Sequence, residues 1–250
     1  MSLVIADNEN ETMFEIAISY LHNFSLITIN QDRKSCSMHR LVQPVTSEWL
    51  APASWQNWGS TALKILSERF PDGEFESWVT CSNYMPHVCN VLSLDIANGT
   101  SITLARAKLL SHTSLYLTLS SKYAGAKADA QESLDLYLTV SPHGCKDSLR
   151  VQDQMALILY RLGHELSAED LYRGTLLGLE NLLGLQHLDT IRTVSNLAYI
   201  IWNRRGNEPV DLARRALHER ERQLGLDHPH TCKARISLLS HSMAYAFSMK

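Results

Sequence analysis

The sequence predicts a mainly α-helical protein, in which an array of repeated helix pairs over residues 103–250 follows a small segment of two helices flanking a β-hairpin. Three observations predict this. Leu183–Thr190 (LGLQHLDT) returns as Leu224–Thr231 (LGLDHPHT), with five of eight positions identical and a step of 41 (224 − 183) between the copies. The stretches ahead of the two copies share one apolar pattern. Residues 1–54 instead alternate between helical and strand-like periodicity. Self-similarity at a fixed spacing of this size marks helical repeat arrays, which present surfaces to partners.

The elements follow in order. Glu11–His22 carries Phe14, Ala17, Ile18 and Leu21 on one helical face. Phe24–Ile29 is β-branched and aromatic and reads as a strand; Asn30–Lys34 is a turn, and Ser35–Met38 returns as a second strand. Leu41, Val42, Val45 and Trp49 mark a second helix. Helix, hairpin, helix over 1–54 is the pattern of a winged-helix-like α/β-hairpin segment. Residues 55–102 read as a helical linker. Trp49, Trp55, Trp58 and Trp78 are assigned to core packing, and Cys81 and Cys89 to a buried thiol pair on one helix, because their spacing with His87 fits no standard zinc arrangement.

Within the array, Met155, Ala156, Ile158 and Leu159 form one helical face. Gly163 interrupts it, and Ala168, Leu171, Tyr172, Leu176, Leu179 and Leu183 form the next. Gly184 is expected to close that helix in the left-handed conformation, with Asp189 and Thr190 capping its successor. In the following unit Asn196–Tyr199 (NLAY) answers Gln154–Leu157 (QMAL), and Leu212, Leu217 and Leu224 answer Leu171, Leu176 and Leu183. A weaker unit lies upstream, where Ala126 and Leu134 precede Ala168 and Leu176 by one repeat length. A half unit begins at Thr231, with Pro229 in the first turn of its helix. The array thus comprises about three units and a half.

A single such hairpin cannot bury its own apolar face, so stacked units form a continuous core and leave a groove lined by first helices. Gln154, Tyr160, Asn196, Tyr199 and Asn203 are the candidates to face it, and the Asn196 amide offers both a donor and an acceptor to a peptide backbone. Net charge is −3, but residues 200–250 hold nine basic and five acidic side chains. The interleaving of Arg214, Arg215, Arg220 and Arg222 with Asp211, Glu219 and Glu221 reads as a solvated helix face, with a patch for an acidic partner as the alternative. No apolar run is long enough to span a bilayer. Five scattered cysteines point to a reducing compartment, and the expected location is cytoplasmic. Residues 1–60 lack the broad basic face that DNA binding needs, so no nucleic-acid partner is expected.

Several spaced features resemble the kinesin-light-chain type of tetratricopeptide repeat: Asn196-Leu197-Ala198 in a first helix, Ala168–Arg173 (AEDLYR) in a second, and the 224–231 linker. Leu188 and His230 depart from that linker's pattern. The resemblance covers about half of the chain and implies a tetratricopeptide-like α-solenoid that binds a protein or peptide. Met38–Gln43 (MHRLVQ) is similar to the Met-His-Asp segment that ends the nucleotide-binding module of NB-ARC proteins, and Phe70–Trp78 fits the fungal-type members that join this module to such repeats. That likeness implies a STAND-type signalling switch and maps His39 onto the histidine that reaches bound ADP, although Arg40 replaces the acidic residue. The sequence contains no Gly-x-x-x-x-Gly-Lys-Ser/Thr segment, so ADP or ATP is expected only with an upstream nucleotide-binding module and the chain is expected to be non-catalytic. A nucleotide-binding NTPase fragment and a kinesin-light-chain-like cargo adaptor are the alternative readings; no heptad seam supports the second.

Overall fold

The computed structural model describes residues 2–30, 35–39, 42–49, 52–72, 77–96, 99–202, 208–232, 234–236 and 238. These residues are mainly helical, with ten helices and one two-stranded hairpin. The chain divides into two compact units, 1–59 and 60–250, and the division falls within α3 (Pro52–Arg69).

In the first unit α1 (Ser2–Asn23) begins well ahead of Glu11, where its apolar face predicts the start. It closes with a paired turn: Leu26 N–H donates to the Leu21 carbonyl and Ser25 N–H to the His22 carbonyl, each at 2.9 Å, with Ser25 at φ 55. That closure consumes Phe24–Leu26, so β1 is only Ile27–Ile29 rather than the expected Phe24–Ile29. It pairs antiparallel with β2 (Cys36–Met38), Ile27 opposite Met38 and Ile29 opposite Cys36. Ile27 is buried, while Trp58 is 65% exposed and does not join a core as expected. Then comes α2 (Val42–Trp49).

In the second unit the end of α3, α4 (Trp78–Leu92) and α5 (Thr100–Leu119) share a core of Leu63, Leu66, Phe70, Val88 and Leu109. The stretch read as a linker thus holds buried residues of its own. Cys81 belongs to this core but Cys89 is exposed, because their separation along the helix leaves the two side chains about 80° apart. The expected buried pair is a single buried thiol.

Five further helices follow: α6 (Tyr123–Val140), α7 (Lys146–Arg161), α8 (Glu165–Leu183), α9 (Leu188–Ile200) and α10 (Glu208–Leu224). From α5 onward each packs against its neighbours in sequence, and α7 also touches α5 and α9. Small residues make these crossings possible. Ser114, Ala156 and Ala198 recur one repeat apart on α5, α7 and α9, as do Ala126 and Ala168 on α6 and α8, and all are buried. A side chain of this size lets two backbones approach closely. The core is handed along the chain by shared leucines. Leu171 packs both on the cluster around Val151 and Ile158 and on that around Tyr172 and Leu197, and Leu176 and Leu212 join the latter to Ile191 and Ala216.

The turns repeat too. Lys122 N–H donates to the Leu117 carbonyl (2.8 Å) and His164 N–H to that of Leu159 (2.9 Å), around Ser121 (φ 61) and Gly163 (φ 86), which hold equivalent places one repeat apart. Gly184 and Gly225 close the next helices at φ 88 and 86. Gly184 has ψ 167, so it lies outside the expected left-handed helical well, in an extended region that glycine alone tolerates. The expected caps are corrected as well. Leu188 is already helical, so the cap is His187, whose Nδ1 accepts from Asp189 N–H at 3.1 Å. His228 does the same for His230 N–H at 3.3 Å, directly before a helical turn that opens at Pro229. Thr190 instead donates to the Gly184 carbonyl at 2.9 Å, holding the linker from inside.

These dihedrals make opposite substitutions diagnostic. Ser121→Gly removes the cost of a left-handed serine and is expected to stabilise the fold by about 0.5–1 kcal/mol. Gly184→Ala is expected to destabilise it by about 1–3 kcal/mol. Chemical denaturation followed by circular dichroism measures both; midpoints that shift in the same direction contradict the assignment.

Candidate interaction groove

The first helices of successive units, α7 and α9, are joined by polar groups rather than by apolar contact alone. Asp153 on α7 is 4% exposed. It accepts from Thr193 Oγ1 at 2.6 Å and Asn196 Nδ2 at 3.2 Å, and Arg192 Nε stands 3.5 Å away, all on α9. In return Asp189, near the start of α9, meets Arg150 Nε (3.2 Å) and Lys146 Nζ (3.3 Å) from α7 and Arg192 Nη1 (3.1 Å) from its own helix. Arg192 therefore bridges both carboxylates. The junction between α5 and α7 is neutral by comparison: Ser111 Oγ donates to Gln154 Oε1 at 3.4 Å.

The two carboxyls titrate oppositely. Burial pushes Asp153 above the ordinary value of 3.8, against the pull of Arg192 and the hydrogen bonds from Thr193 and Asn196. Burial also pushes Asp189 upward, but Arg192, Arg150 and Lys146 together outweigh it and hold that carboxyl below 3.8.

Three clefts open along these helices; the largest, of about 620 Å³, lies between Lys146, Asp189 and Arg222, and the other two hold residues singled out from sequence. One, of about 410 Å³, is bounded by Lys108, Ser111, Arg150, Gln154 and Arg192, with Asp72 and Asp147 also in its wall. Lys108, Arg150 and Arg192 hold equivalent places on α5, α7 and α9, so the repeat itself lays down a basic row. The other, of about 490 Å³, is bounded by Leu157, Arg161, Asn196, Tyr199, Trp202 and Arg220, with Arg192 shared between the two.

Of the residues singled out from sequence, Asn196 and Tyr199 line the cleft of about 490 Å³, and Gln154 lines that of about 410 Å³. Tyr160 meets Tyr199 edge to face, ring centres 5.7 Å apart at 74°. Asn203 lies outside the described residues. His39 belongs to the first unit, exposed at the end of the hairpin, its N–H donating to the Leu26 carbonyl at 3.2 Å. Asn196 differs from expectation in one respect: its amide N–H is spent on Asp153, so the amide anchors α9 to α7 before it serves any ligand.

Sequence reasoning missed Asp153, Arg161 and Arg192, although the recurrence of Lys108, Arg150 and Arg192 at the repeat spacing was there to be read. Arg214 is exposed, as the solvated-face reading expects, but Arg215 is half-buried and paired across helices with Glu180 at 2.7 Å, and Arg222 pairs with Glu219 on its own helix at 3.0 Å. Arg220 also departs from it: it is half-buried and lines the cleft of about 490 Å³.

Among the described residues no group of three or more His, Cys, Asp or Glu side chains is placed to hold a metal ion, and no helix is long and apolar enough to cross a membrane. Neither a protein-family model nor a curated protein matches the sequence.

The opposite shifts give opposite pH signatures. A raised carboxyl binds its proton more tightly when folded, so the contribution of Asp153 to stability declines as pH rises above 3.8. Asp153→Asn is expected to gain stability relative to the parent as pH rises above 3.8. The lowered carboxyl of Asp189 contributes above 3.8 and loses that contribution as pH falls. Asp189→Asn is expected to cost about 1–2 kcal/mol at neutral pH, a loss that shrinks below about pH 4. Denaturation midpoints across that range are the measurement, and parallel pH profiles for the two variants contradict the network.

Proposed function

We propose that this protein is a non-catalytic interaction scaffold, in which residues 103–250 form a tetratricopeptide-type α-solenoid whose first-helix groove holds a peptide or protein segment. One observation carries the reading. Residues chosen from the repeat alone, Asn196 and Tyr199, line one cleft, Tyr160 packs on that cleft's Tyr199, and Gln154 lines its neighbour. A cleft with an apolar floor and a few fixed polar groups is suited to orienting a ligand.

The amino-terminal segment supports a second part of the proposal. Its helix, hairpin and helix, together with Met38-His39, suit the end of an NB-ARC module, so the scaffold acts as the sensor of a STAND-type switch. In this reading nucleotide chemistry belongs to a module outside this chain, and the chain by itself does not bind ADP.

Two measurements test this. A photo-crosslinking residue at Tyr199 is expected to capture a binding protein, whereas the same residue at Leu166, exposed on α8, is not; equal yields, or none at Tyr199, refute the groove. Calorimetry with ADP and magnesium at roughly millimolar concentration, a level at which even weak binding of about −4 kcal/mol registers, is expected to show no heat. A binding isotherm refutes the division of labour.

A further inference from the structure

The first helix carries a second apolar face that the fold leaves open. Met13, Ile16, Tyr20 and Phe24 follow one another at steps of three, four and four, so they line one side of α1. Phe24 lies just past the helix but keeps its register, its N–H donating to the Tyr20 carbonyl at 3.0 Å. All four are exposed, by 45% to 73%. The face that packs is a different one. α1 meets β1, and Ile18 and Leu21, roughly a third of a turn further round the helix, are half-buried. One exposed apolar side chain is ordinary, but four large ones in a row about 16 Å long mark an interaction site.

The charge of α1 identifies what fits the row. The helix holds Asp7, Glu9, Glu11 and Glu15 and no lysine or arginine, and no such cation occurs in the sequence before Arg33. The α1 of a second copy therefore has no lysine or arginine to answer these acids. An anionic lipid surface or a nucleic-acid backbone is repelled by them. We propose that the row docks an amphipathic helix of a partner protein, with apolar side chains at matching steps and Lys or Arg beside them. A straight row on a convex helix is met by a second helix lying alongside, whose own side chains at steps of three and four form the complementary ridge. Methionine, tyrosine and phenylalanine are residues that the centres of interfaces favour. The row lies in the first unit, so this docking does not rest on the groove.

The test is selection of a library of α-helical peptides, randomised at their outward positions, on the full-length protein, followed by affinity measurement of the enriched peptides. Enriched sequences are expected to repeat apolar residues at steps of three and four with Lys or Arg beside them. They are expected to bind more weakly as salt rises from about 0.05 to 0.5 M. Tyr20→Ser and Phe24→Ser are each expected to weaken them about tenfold, and Glu9→Lys, four residues ahead of Met13, about threefold. Val79→Ser, at an exposed apolar residue of α4, and Tyr199→Ala, in the groove, are expected to leave them bound. The substituted residues of the row are exposed, so each variant keeps its fold, which circular dichroism establishes. Enrichment solely of peptides that lose affinity in Tyr199→Ala but not in Tyr20→Ser overturns this docking and leaves the groove standing. Enriched peptides that are acidic or uncharged, or no enrichment at all, overturn it too. So does binding to vesicles of phosphatidylcholine and phosphatidylserine, or a dimer in sedimentation equilibrium that Tyr20→Ser dissolves.

Discussion

The contact between Asp153 and the inner face of α9 sets much of the rest. A carboxylate removed from water is costly unless several groups replace the lost hydration. Here one threonine, one asparagine and one arginine, all on α9, do so. Thr193, Asn196 and Arg192 satisfy it only in one register and one tilt of α9 against α7. An apolar interface between the same helices tolerates small slides, because leucine contacts are non-directional. The buried acid removes that freedom, and with it fixes where Tyr199 stands relative to Tyr160 and where Arg192 projects.

Around this fixed junction the apolar core is transmitted rather than shared by all. Leu171, Leu176 and Leu212 each belong to two neighbouring clusters. Loss of one helix therefore exposes apolar surface on its neighbours. The small residues placed once per repeat are the condition for such packing: a larger side chain at Ala156 or Ala198 would push apart the helices that carry the polar junction. Apolar and polar layers are thus coupled through backbone distance.

The sequence made legible whatever depends on period. Helix pairs, the paired glycines Gly184 and Gly225, and the inner positions Gln154 and Asn196 follow from spacing alone, because a stacked unit must place equivalent residues equivalently. It concealed whatever depends on one position deviating from its repeat equivalents. Asp153 stands where the previous unit has Ser111 and the next Ser195, and nothing in the pattern says that the acid is buried and shared. The His187 cap was hidden for a local reason: Asp and Thr are commoner caps, and only the helical state of Leu188 shows that they lie too deep in the helix. The first unit was read with strands too long because a helix closure at Ser25 requires a positive φ that composition does not announce for serine.

The arginines extend this last point. In a repeat, equivalent cations find equivalent partners unless something withholds them. Arg150 and Arg192 converge on Asp189, and Arg215 reaches Glu180 across helices. Arg220, close to these pairs, is left to face Arg192. Holding two like charges together in a half-buried place lowers stability, and a fold under no other demand would relieve it with one substitution to glutamate. The α9–α10 junction therefore carries a like-charge contact that the α7–α9 junction, with Asp153 and Asp189 between its cations, does not.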